Sequence, residues 1–63
     1  LYQALQDTNI QTDNLITSIE LYNNTKLDTS ASVAQLEFYR NQALKNIETN
    51  QKMIEQLLQI SNI

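Results

Sequence analysis

The sequence predicts an all-α fold: an antiparallel helical hairpin, with a short first helix and a long second one, built to join a three- or four-helix bundle or coiled-coil assembly. Three observations carry that reading. The half from Ser32 to Ile63 holds no helix breaker, and its apolar residues recur at helical spacing. The chain contains neither Gly nor Pro, the residues on which sheet hairpins and tight turns generally draw. Finally, a polar stretch from Asn23 to Ala31 separates two periodic segments, which is how a loop reads.

The first helix is expected over about residues 2–24. Leu1, Ala4, Thr8, Thr12, Leu15, Ile19 and Tyr22 keep one phase along it. Thr8 to Asn14 is its weakest part, because Thr, Asn and Asp side chains compete for the backbone. Thr12 is a candidate cap for a fresh helix there, but a break would waste the shared phase, so a continuous helix is favoured. Asn23 or Asn24 is expected to close the helix in the left-handed conformation in place of Gly. A loop over about residues 25–29 follows, then a second helix over about residues 30–61. Asp28, Thr29 and Ser30 are candidate caps for it, and Ser32 with Gln35 has the spacing of a capping box. On the second helix Val33, Leu36, Ala43, Leu44, Ile47, Ile54 and Leu58 form one stripe, with Tyr39 and Leu57 at its edge. The internal seam is expected to use Leu5, Leu15, Ile19, Tyr22, Val33, Leu36, Ala43 and Ile47.

At a rise of 1.5 Å per residue the first helix is roughly 33 Å long and the second roughly 48 Å. Folded back from that loop, the first helix would reach about as far as Gln51 or Lys52. The segment from Met53 onward would then lack a cover. Burying one large apolar side chain is worth roughly 1.5–3 kcal/mol, so such a segment wants a partner. Phe38 lies opposite the stripe and adds to the case. The expected partner surface is therefore Phe38, Met53, Ile54, Leu57, Leu58 and Ile60. Arg40, Asn50 and Gln51 interrupt the stripe. They are candidates for polar core positions that set register, with side chains reaching to the helix edge as the plainer alternative. Arg40 has Glu37 or Glu20 as candidate partners, and Glu48 with Lys52 has the favourable i, i+4 order.

Composition excludes more functions than it suggests. Cys and His are absent, so no disulfide framework or usual zinc or haem site is expected, and no base exists to activate a nucleophile. No phosphate loop or calcium-loop spacing occurs. No enzyme activity, cofactor or metal is expected. The charge of −3, from four basic and seven acidic residues, weighs against nucleic acid. It also weighs against a helix lying on an anionic membrane. The chain begins at Leu1 and has apolar residues at both ends, which suggests a piece of a longer protein. Together these features point to a structural or protein–protein interaction module that packs its long helix against partner helices, from a second copy or another subunit. The competing expectation is a small helical chaperone or regulator that masks one target protein.

Overall fold

The computed structural model describes residues 1–61 and contains two helices packed against each other, α1 (Tyr2–Leu27) and α2 (Val33–Ser61). They run antiparallel in a rod whose Cα atoms span 51 × 14 × 12 Å. The chain is a helical hairpin, as its period and its missing Gly and Pro predict. Ile63, the last residue of the segment expected to lack a cover, lies outside the described residues.

α1 is unbroken through Thr8 to Asn14, and the side chains that threatened it are tied along the helix instead. Thr8 Oγ1 donates to the Ala4 carbonyl (2.7 Å), and Thr12 Oγ1 donates to the Thr8 carbonyl (2.9 Å). Back-bonding of this kind removes the competition between hydroxyl and backbone at small cost. The helix also runs past the expected stop at Asn24. Thr25 Oγ1 donates to the Leu21 carbonyl (2.7 Å), and the Lys26 ammonium sits 5.7 Å from the centre of the Tyr22 ring. Both hold one further turn.

No residue takes a left-handed conformation among the described residues, so neither Asn23 nor Asn24 plays the expected role. α1 ends instead on Asp28, which is extended (φ −88°, ψ 107°) and donates its N–H to the Thr25 carbonyl at 3.1 Å. A turn from Asp28 to Ala31 follows, closed by the Ala31 N–H on the Asp28 carbonyl (3.2 Å). Asp28 Oδ1 stiffens it by accepting from Ser30 Oγ (2.6 Å) and the Ser30 N–H (2.9 Å). Aspartate favours this first turn position because its side chain can bond the backbone two residues on. The two Ser30 bonds, the hydroxyl first, hold the Asp28 carboxyl below the ordinary carboxylate range. A depressed value means that the turn gains from this charge above the ordinary range and loses it as pH falls through the depressed value.

α2 starts with the capping box. The Gln35 N–H donates to Ser32 Oγ (3.1 Å), and the Ser32 N–H donates to Gln35 Oε1 (2.9 Å). Two helix-end donors are thus satisfied at once. Substituting Ser32 by Ala removes one of these bonds and frees Gln35, and is expected to cost about 1 kcal/mol in chemical denaturation.

The hairpin seam is narrow, and its most deeply buried residues are mostly polar. On α1 it runs through Ala4, Thr8, Gln11, Leu15, Ser18 and Tyr22, and on α2 through Leu36, Tyr39, Ala43, Asn46, Asn50, Met53 and Leu57. All are buried or half-buried. Their alternating steps of three and four residues are the repeat of a left-handed two-helix coil. Among the described residues Ala43 is the one apolar residue that is buried, beside Thr8, Gln11, Ser18 and Asn50. Small side chains let the helices approach, yet no large side chain among the described residues is fully buried.

Candidate functional site

Most of the large apolar residues missing from the seam lie beside it on one side. These stand one position after a seam residue: Leu5 after Ala4, Ile16 after Leu15, Ile19 after Ser18. Leu44 follows Ala43 in the same way, Ile54 follows Met53 and Leu58 follows Leu57. One residue is a turn of about 100° around a helix of 3.6 residues per turn. Because the helices are antiparallel, the same step turns both of them toward the same side. The hairpin therefore has one broad apolar face, carrying Tyr2, Leu5, Ile16 and Ile19 from α1 and Val33, Leu44, Ile47, Ile54 and Leu58 from α2. All nine are exposed, from 37% at Ile19 to 92% at Tyr2.

The opposite broad face is mostly polar but carries scattered apolar residues. Gln35, Gln42, Lys45, Thr49, Lys52 and Gln56 line its α2 side with Phe38, and Ile10 and Leu21 lie on its α1 side, all exposed. Glu48 and Lys52 pair at 3.2 Å on the solvent side, a pair worth a few tenths of a kcal/mol.

Register follows from two cross-helix hydrogen bonds. Gln11 Nε2 donates to the Asn46 carbonyl (3.1 Å), and Asn50 Nδ2 donates to Thr12 Oγ1 (2.8 Å). With the turn at residues 28–32, this register sets Leu5 level with Ile54 and Tyr2 level with Leu58. The apolar face is thereby divided along its length. Tyr2, Leu5, Ile54 and Leu58 form one cluster at the free ends. Asn9, Thr12 and Gln51 make a polar band. Ile16, Ile19, Leu44 and Ile47 form a second cluster, and Asn23, Lys26, Glu37 and Arg40 close the face toward the turn.

The structure distributes the expected partner residues over three places. Ile54 and Leu58 lie on the broad apolar face, exposed at 44% and 59%. Met53 and Leu57 are half-buried in the hairpin seam, and Ile60 lies at its end. Phe38 stands on the other broad face, edge-on to Tyr39 with ring centres 5.4 Å apart. The segment from Met53 is covered further than the length comparison expects, since α1 reaches the level of Leu58 rather than Lys52. The cause is the extra turn of α1 to Leu27 and the late start of α2 at Val33.

The internal seam lies partly one row away from the expected one. Leu15, Tyr22, Leu36 and Ala43 are in it, whereas Leu5, Ile19, Val33 and Ile47 belong to the open face. Of the polar candidates, Asn50 is buried in the seam, while Arg40 and Gln51 are exposed on the open face. Arg40 forms no ion pair with Glu37 or Glu20 among the described residues. Sequence reasoning passes over Gln11, which is buried and bonds across the seam. Its Oε1 is buried with no hydrogen-bond partner. Its signal is its place four residues before Leu15 and three after Thr8, in the seam's own repeat.

Among the described residues there is no pocket, no grouping of carboxylates that would hold a metal ion, and no helix long and apolar enough to cross a membrane. No protein-family model, characterised protein or solved structure matches the chain. What the arrangement offers chemically is an exposed, mainly apolar surface about two helix widths across.

Proposed function

We propose that this hairpin is a structural interaction module whose broad apolar face packs against partner helices in an oligomer or multi-subunit assembly. One observation carries the reading: the strongest apolar row of α2, through Val33, Leu44, Ile47, Ile54 and Leu58, lies outside the hairpin seam and is exposed. Exposed clusters of large apolar side chains rimmed by polar residues mark an interaction site more often than a free surface. The seam supports the same conclusion from the other side. With Ala43 as its only buried apolar residue among those described, it gives little to set against the roughly 1–2 kcal/mol per residue lost on ordering the backbone. The role is binding rather than catalysis, and the recognised chemistry is the apolar side of an amphipathic helix.

Binding of an environment-sensitive apolar dye, read beside a thermal melt, tests the reading. The monomeric hairpin is expected to bind dye and to melt over a broad range. A monomer that melts sharply and leaves the dye dark has no face awaiting a partner, and that result overturns the proposal.

A further inference from the structure

We infer that the occupant of the apolar face is a second copy of this chain, related by a two-fold axis running along the hairpin, so that two hairpins close a four-helix bundle. The inference rests on the docking role proposed above and names its partner. Three features point to self-association.

The first is angular. The open row turns about 100° from the seam on each helix, close to the right angle between the two neighbours of a helix at the corner of a four-helix bundle. The apolar stripes legible in the sequence are centred between the two rows, where the core of such a bundle would lie.

The second is the match between the two open rows. A two-fold axis along the hairpin lays the row of α1 on the row of α2 from the other copy, antiparallel and at the level already set inside each hairpin. Tyr2 then meets Leu58 of the second copy, Leu5 meets Ile54, and Ile16 meets Leu44. Asn9 meets Gln51, polar on polar, and Asn23 comes to the level of Glu37. Three pairs are mismatched: Ile47 falls beside Thr12, Val33 beside Lys26, and Ile19 beside Arg40, where the lysine and arginine methylenes can cover the apolar side chain while the charged head leaves at the edge. Turning the second copy end for end instead would lay Tyr2, Leu5 and Ile54 over Lys26, Asn23 and Glu37, with Leu58 over Val33 the one apolar match at that end. The chain's own pattern thus selects one of the two ways of pairing its faces.

The third is area. The extents of 51 × 14 Å give the face about 700 Å² per copy, near the roughly 800 Å² that each partner contributes to a stable complex.

The chain lacks cysteine, so single-cysteine variants report contacts between copies without background. Chains carrying Ile16→Cys and chains carrying Leu44→Cys are mixed, oxidised mildly and compared with each variant alone, beside sedimentation of the unmodified chain. A dimer in sedimentation, with the mixed 16–44 disulfide dominating over 16–16 and 44–44 products, is the expected result. A dimer in which the mixed product does not dominate overturns the arrangement. A chain that stays monomeric while binding apolar dye overturns the second copy as occupant and leaves the docking role standing. A monomer that is also dark to dye removes both.

Discussion

Replacing Ile47 and Ile54 together by aspartate is expected to abolish association of the hairpin. Both residues lie on the open face, 44% exposed in the hairpin, at positions that a partner would cover. Fully burying an isoleucine is worth roughly 1.5–3 kcal/mol, and with less than half of each side chain left for a partner to cover the share is roughly 0.7–1.3 kcal/mol each, counted twice in a two-fold interface. The loss is then at least about 3 kcal/mol, before the cost of carboxylates in an apolar contact, and corresponds to a dissociation constant weaker by more than about a hundredfold. Sedimentation over a wide concentration range measures it. The matched control is Gln42→Asp with Gln56→Asp, which adds the same charge to the opposite broad face, where both side chains are exposed. That variant should associate nearly as the unmodified chain does. Equal weakening by the two variants would mean that net charge, rather than the apolar face, governs association.

The two helices are legible in the sequence, but the choice of seam between them is not. Helical spacing without Gly or Pro predicts two helices, and Ser32 with Gln35 marks where the second one starts. Which edge of each apolar stripe the other helix would take is a different question. Hydrophobicity alone ranks Val33, Ile47 and Ile54 above Thr8, Gln11, Ser18 and Asn50, so it places the seam on the larger residues. In the hairpin the smaller and polar residues go inside. Ala43 and Ser18 permit close approach, and Thr8, Thr12, Gln11 and Asn50 satisfy most of one another's polar groups or those of nearby carbonyls. Period gives the width of a stripe, but side-chain size and hydrogen-bond matching decide which part of it two helices share. The reach of α1 along α2 escapes a sequence reading for a related reason. It depends on where α1 stops, and Thr25, Lys26 and Asp28 settle that through bonds that propensity weighs lightly.

Asn50 provides the second test, because its neighbours leave it no choice of hydrogen-bond direction. The only hydroxyl proton of Thr12 goes to the Thr8 carbonyl (2.9 Å). Thr12 Oγ1 can therefore only accept from Asn50, and the amide Nδ2 donates to it at 2.8 Å. Asn50→Asp keeps the shape and sets a carboxylate oxygen against that hydroxyl's lone pairs, in a buried site. The expected cost is about 3 kcal/mol at neutral pH, combining a lost donor with an uncompensated buried charge. Burial and the facing oxygen raise the folded-state value of the introduced carboxyl above its unfolded one. The destabilisation is then complete above the raised value, declines as pH falls through it, and disappears below the ordinary carboxylate range, where the protonated acid can donate to Thr12. Denaturant midpoints across that range measure the effect. Asn50→Leu separates stability from register. It removes the donor without placing an acceptor against Thr12, so it should cost about 1 kcal/mol, less than the aspartate form. It also deletes the Asn50–Thr12 bond, which together with the Gln11–Asn46 contact fixes the level of α1 against α2, and this should loosen the register on which the match between the open rows depends. Equal stability of the aspartate and asparagine forms at neutral pH would show that the Thr12 contact contributes nothing. A 16–44 cross-link that stays as selective in the Asn50→Leu background as with Asn50 in place would show that the seam's polar pair does not set the interface.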